Sequence, residues 1–225
     1  MQEFEKIIGY HFRDRSLLQT ALTHSSYANE HPKEKTGCYE RLEFLGDSIL
    51  GMTAAEYLFR YRPELPEGKM TRIRAELVCE ESLYAAALAL EIGRLMRLGR
   101  GEENSDGRER PSVLADMVEA VIAAIYLDGG MNPAKDFIMN HVLHDAEEII
   151  NRRDRDHKTE LQELVQSEPG SSIRYEMLSS DGPDHRKVFT YQVFVNGKSM
   201  GVGSGYSKKE AEQAAAGSAL QQLRS

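Results

Sequence analysis

The apolar residues of this chain change period once, near residue 155, and no other feature restricts the fold as much. Before that point they recur at intervals of three and four, the spacing of one face of an α-helix. Beyond it they alternate with polar residues, the spacing of a half-buried strand. Residues 1–151 are therefore expected to form an all-α domain, and residues 158–225 a small α+β domain. The fully polar run at 151–156 joins them, so residues 152–157 are expected to be a linker.

In the first part, Leu17, Leu18, Ala21 and Leu22 form an apolar stripe with Asp14 placed to cap it. A second helix is expected from about Tyr39 to Phe59, ended by Pro63 and Pro66. A third covers about Thr71 to Glu91 and stops near Gly93. The Gly- and charge-rich residues 99–112 are expected to be loop, with helices following at about 112–127 and 133–151. In the second part a short helix at about 159–167 precedes three alternating stretches, at 173–177, 188–195 and 200–203. Asn196-Gly197 between the last two is a hairpin signal. An alanine-rich helix from Lys208 to about Leu223 completes an α-β-β-β-α order, a small sheet with helices on one face.

Two helices of the first part carry acids at helical spacing. With Glu40 at zero and about 100° per residue, Glu43 falls near 300° and Asp47 near 340°, so the three share an arc of about 60°. Leu42, Leu45, Ile49 and Met52 lie between about 120° and 200° and are expected to face the core. Phe44, near 40°, stands on the acid side, where a large aromatic needs a partner surface such as another subunit. Gly46 costs the helix about 1 kcal/mol relative to Ala, and its place beside the acids suggests room for a ligand or a close helix.

On the second helix, Asp116 and Glu119 stand among Ala115, Ala120 and Ala123, with Leu, Met, Val and Ile over the rest of the surface. A helix apolar nearly all round is buried, and ionised carboxylates on it are costly without a counter-charge. Glu43, Asp47, Asp116 and Glu119 are therefore expected to bind a divalent cation. Hard oxygen ligands suit Mg²⁺, with Mn²⁺ as a substitute. Such a site suits phosphoryl chemistry, because the ion lowers the pKa of a bound water and stabilises charge on a scissile phosphate.

The net charge of −8 argues weakly against nucleic acid as a partner. The charge is uneven, however. Residues 156–225 hold eight Lys/Arg and nine Asp/Glu, leaving −7 on residues 1–155. The near-neutral second part has room for a local basic patch. No apolar run approaches the roughly 20 residues that span a bilayer, and the start of the chain lacks the basic-then-apolar pattern of a signal peptide. Cys38 and Cys79 do not have metal-ligand spacing and read as reduced thiols of a cytoplasmic protein.

Residues 40–48, Glu-Arg-Leu-Glu-Phe-Leu-Gly-Asp-Ser, resemble the nine-residue signature of the ribonuclease III family without departure. Residues 115–120, Ala-Asp-Met-Val-Glu-Ala, resemble its second acidic motif, and residues 21–25 and 67–72 also fit. The resemblance implies that Glu43, Asp47, Asp116 and Glu119 bind a catalytic Mg²⁺. It implies that Glu40 and Glu67 line a cleavage valley with roles in RNA contact, and that the protein is a homodimer with Phe44 inserted into the neighbouring subunit. His24 reads as a core or capping residue rather than a base or ligand. Arg72 and Arg74 read equally as phosphate contacts or as a solvated helix face.

Residues 158–225 look like a double-stranded RNA-binding domain over their whole length. Lys208 and Lys209 open the last helix, where main-chain N–H groups also attract phosphate. Gln162 and Glu163 are placed to hydrogen-bond 2′-hydroxyls across the shallow RNA minor groove, and His185, on a loop, to reach a neighbouring one. The expected function is Mg²⁺-dependent hydrolysis of phosphodiesters in double-stranded RNA, processing ribosomal and messenger RNA precursors. The resemblance implies 5′-phosphate and 3′-hydroxyl ends with short 3′ overhangs. The competing readings are a non-catalytic double-stranded RNA-binding protein and a metal-dependent hydrolase of small phosphate esters.

Overall fold

The computed structural model describes residues 2–154, 156–166, 170–183 and 187–224. The chain divides into two compact units, Met1–Ile149 and Ile150–Ser225.

The first unit is built of helices α1 (Gln2–Ile7), α2 (Arg15–Ala21), α3 (Ser25–Glu30), α4 (Glu40–Tyr61), α5 (Glu67–Leu77), α6 (Glu80–Ala89), α7 (Arg100–Glu103), α8 (Pro111–Gly129) and α9 (Met131–His141), and it ends within α10 (Ala146–Asp154). At its centre lies α8, where Leu114, Met117, Ile122 and Ile125 are fully buried. Burying each such side chain contributes ~1.5–3 kcal/mol. Around α8 pack α2, α4, α6 and α9. Pro111 at its first turn needs no hydrogen-bond partner for a missing N–H, and Gly130 ends it at φ +85°. Asp14 caps α2, accepting from the Ser16 N–H at 2.9 Å, as its position suggested.

Four expectations need correction. The region expected as one helix from Thr71 to Glu91 is two, α5 and α6. They part at Val78 and Cys79, the latter in extended conformation, and the Ser82 hydroxyl donates to the Glu76 carbonyl across the break. No Pro or Gly marks this junction. The stretch 133–151 is likewise split between α9 and α10. Residues 99–112 hold the short α7, a 3₁₀ turn at Gly107–Glu109 and the start of α8, besides loop. Helix α10 runs to Asp154 through a polar run that contains Arg, a good helix former, and no breaker.

The fourth correction concerns which face of α4 is buried. Its core residues are Leu42, Gly46, Ile49, Leu50, Thr53, Ala54 and Leu58. Met52, expected inside, is 47% exposed. The buried stripe is thus rotated toward the acids. It centres on Gly46, whose missing side chain lets α8 approach: a Cβ there would overlap the Glu119 carbonyl oxygen.

The second unit is α11 (His157–Gln166), strands β1 (Ile173–Asp181), β2 (Val188–Val195) and β3 (Lys198–Gly205), and α12 (Lys208–Arg224). The sheet is antiparallel in the order β1-β2-β3. Asn196 and Gly197 both have positive φ, +51° and +79°, the backbone of a tight hairpin turn. Leu161 and Val165 of α11 and Ala215, Ala216, Ala219 and Leu220 of α12 cover Val193 in the sheet. The alanines permit this close layer from one side, and Gly201 and Gly203 of β3 from the other. A Cβ on Gly203 would overlap the α12 backbone at Ala214 and Ala215. The α-β-β-β-α order is as expected.

Candidate active site

The first turn of α4 carries Glu40 and Glu43, where the helix dipole favours negative charge. Asp116 and Glu119 sit one turn apart on α8. The crossing at Gly46 brings these two helices together at the acids. Glu43, Asp116 and Glu119, each half-buried, offer one carboxylate oxygen apiece, all within 4.8 Å of one another. Ligands on opposite sides of one Mg²⁺ stand about 4.2 Å apart, twice the Mg–O distance, so small side-chain rotations would close this set on an ion.

The electrostatics agree with a missing counter-charge. Burial, followed by the charges of Asp47, Asp116 and Glu43, pushes Glu119 up to about 8. Burial and then Asp116, Glu40 and Asp47 raise Glu43. Burial raises Asp116 as well, with Glu80 adding to the effect, against the Tyr39 hydroxyl and His24, which favour its charged form. Among the described residues, no lysine or arginine forms an ion pair with Glu43, Asp116 or Glu119. Three carboxylates on the same side of a buried helix crossing are a donor set that fits a divalent cation.

Asp47 is exposed and its oxygens stand outside the close set, although its charge acts on Glu43 and Glu119. Glu40 is exposed and acts on Glu43 in the same way. Glu67 lies elsewhere: it accepts from the Thr71 hydroxyl at 3.0 Å and borders an apolar cleft of about 480 Å³ lined by Met52, Leu58, Phe59 and Met70. Phe44 is 79% exposed and Phe59 74%, so α4 leaves both of its phenylalanines open. His24 caps α3 through Nδ1, which accepts from the Ser26 N–H at 3.2 Å.

Two participants escaped the sequence. Tyr39 precedes the acidic signature and is buried, and its hydroxyl donates to Asp116 Oδ2 at 3.3 Å. Burial and the neighbouring Asp116 and Glu43 hold its phenol well above the usual range, so it remains a donor. Glu80 opens α6 and adds its charge beside Asp116. Only tertiary packing brings either residue to Asp116. The spacing of residues along one helix carries no signal of it.

In the second unit Lys208 and Lys209 are exposed at the start of α12. Beneath them Glu212, buried, accepts from Lys158 Nζ at 2.7 Å and lies 3.9 Å from Lys208 Nζ. Lys158 lies over the Tyr175 ring, and its N–H donates to Gln213 Oε1 at 2.8 Å. These contacts tie the starts of α11 and α12 together. Gln162 and Glu163 are exposed on α11. His185 lies outside the described residues.

Known proteins resemble both units. A ribonuclease-III-like family model matches residues 14–146, and a double-stranded RNA binding motif matches residues 157–223. The chain is 48% identical over 220 residues to a protein named Ribonuclease 3 from Caldanaerobacter subterraneus subsp. tengcongensis, covering 97% of this chain and 96% of that one. It is 45% identical to a Ribonuclease 3 from Listeria monocytogenes serotype 4a, covering 99% and 97%. Among solved structures, the nuclease domain of a ribonuclease III from Campylobacter jejuni, described with a region involved in dimer formation, matches with a TM-score of 0.59 at 38% identity. That match covers 64% of this chain and 96% of the other.

Proposed function

The chain belongs to the ribonuclease III family and is an endoribonuclease of double-stranded RNA, and from that premise we propose that Mg²⁺ is its cofactor, held by Glu43, Asp116 and Glu119 with Asp47 close by. The observation that carries this reading is the convergence of three carboxylates from two helices within 4.8 Å, with Glu119 raised to about 8 by burial and then by its acidic neighbours. When bound, Mg²⁺ supplies an activated water and charge stabilisation at the scissile phosphate. Glu43, Asp116 and Glu119 supply its ligands, and Asp47 adds negative potential that favours a cation. Mn²⁺ takes the same oxygen ligands.

The nuclease module occupies residues 1–151 and the RNA-binding module residues 158–225. Lys208 and Lys209 contact phosphate, Gln162, Glu163 and His185 contact the minor groove, and Glu40 and Glu67 act along the cleavage valley. Cleavage leaves 5′-phosphate and 3′-hydroxyl ends with short 3′ overhangs, on ribosomal and messenger RNA precursors in the cytoplasm. The apolar face of α4, with Phe44, Met52 and Phe59 exposed, supports a homodimer in which Phe44 enters the partner subunit. No helix among the described residues is long and apolar enough to cross a membrane.

The test is incubation of a long RNA duplex with the protein and Mg²⁺, then with chelator. Cutting that stops on chelation and leaves 5′-phosphates supports the proposal. Cutting that persists in chelator overturns the metal assignment.

A further inference from the structure

Tyr39 joins the two acid-bearing helices through separate atoms. Its main-chain carbonyl accepts from the Glu43 N–H at 2.9 Å, in the first turn of α4. Its hydroxyl donates to Asp116 Oδ2, on α8. The residue is itself fixed. It is 6% exposed, its own N–H donates to the Thr23 carbonyl at 3.0 Å, and the His24 ring lies against its ring with centroids 5.7 Å apart. Thr23 is fully buried and bridged to Arg97, so the anchor belongs to the core rather than to a loop.

An aspartate on a helix keeps more than one χ1 rotamer and a broad χ2, so an unheld carboxylate meets a cation in several orientations. A donor on one oxygen removes that freedom and leaves the other oxygen presented in one direction. Partners of this kind typically change metal affinity by about 10- to 100-fold. We infer that Tyr39 is a positioning residue of the metal centre: its hydroxyl orients Asp116 while its carbonyl fixes the turn that presents Glu43. The inference rests on the metal assignment proposed above.

Tyr39→Phe removes the donor and keeps the ring and both main-chain contacts. In the full-length protein its thermal midpoint in chelator should match that of the unsubstituted chain, while Mn²⁺ affinity by calorimetry should fall about tenfold. Unchanged Mn²⁺ affinity in Tyr39→Phe, with Asp116→Asn losing the ion, overturns the role of Tyr39 alone. Unchanged affinity in Asp116→Asn overturns the metal assignment, and this inference with it. A spectroscopic readout needs no variant to fold. The chain has ten tyrosines and no tryptophan, so Mg²⁺ addition to the unsubstituted protein should produce a tyrosine ultraviolet difference band. Absence of that band overturns the inference, and its loss in a folded Tyr39→Phe protein supports it.

Discussion

Gly46 of α4 lies directly against the main-chain carbonyl of Glu119 on α8, so the two central helices meet backbone to backbone at the acids themselves. Even a methyl group at residue 46 would overlap that oxygen. The separation of Glu43 from Glu119 is therefore set by the missing side chain at residue 46, three positions after Glu43 and one before Asp47. Gly46→Ala should destabilise the first unit by about 1–3 kcal/mol, the usual range for overpacking, even though Ala is the better helix former. Urea unfolding measures this. A more stable variant would show that the crossing can relax, and that its closeness does not hold the acids together.

Glu119→Gln keeps the shape of the side chain and removes its charge. Cleavage should fall at least a hundredfold, roughly the loss of a few kcal/mol of charge stabilisation. Binding of an RNA duplex in chelator should be unchanged. Parallel cleavage and filter-binding assays separate these, and full activity in the purified variant would remove Glu119 from the site.

The raised Glu119 also gives a pH dependence. In metal-free protein the group keeps its proton up to about 8, whereas in the unfolded chain it loses it near 4.5. Between those values the unfolded state binds fewer protons, so the stability owed to this group falls as pH rises. Metal reverses the trend, because binding requires the carboxylate and displaces the proton. Thermal midpoints in chelator should drop across this window, and the gain on adding Mg²⁺ should grow. A Mg²⁺ gain independent of pH from about 5 to 8 would contradict the linkage.

Phe44 is 79% exposed on α4, and the proposed dimer covers it. Phe44→Glu should give monomers by sedimentation. A dimer of undiminished stability would place the interface elsewhere.

Lys208 and Lys209 should each contribute one phosphate contact. Replacing both with Ala should weaken duplex RNA binding and reduce the slope of log affinity against log salt by about 2. An unchanged slope would mean that phosphate binds elsewhere on the second unit.

Much of this was legible because periodicity records burial. The two periods separated the units, and the all-apolar surface around Asp116 and Glu119 marked the central helix. The hairpin at Asn196-Gly197 was legible because positive φ at both positions favours those residues. The facing of α4 was not, because Gly46 carries no hydropathy signal and yet centres the buried stripe. The α5–α6 break at Val78 and Cys79 lacks a breaker, and its mark is a local bond from the Ser82 hydroxyl to the Glu76 carbonyl that no hydropathy pattern signals. Tyr39 meets Asp116 across 77 residues, a distance no local pattern reaches.

The most direct measurement is a crystal of the full chain grown with Mn²⁺ and examined for anomalous scattering. An anomalous peak within about 2.3 Å of oxygens from Glu43, Asp116 and Glu119 is expected. No peak there at saturating Mn²⁺, with the three carboxylates turned apart, would contradict a metal centre built from the α4–α8 crossing.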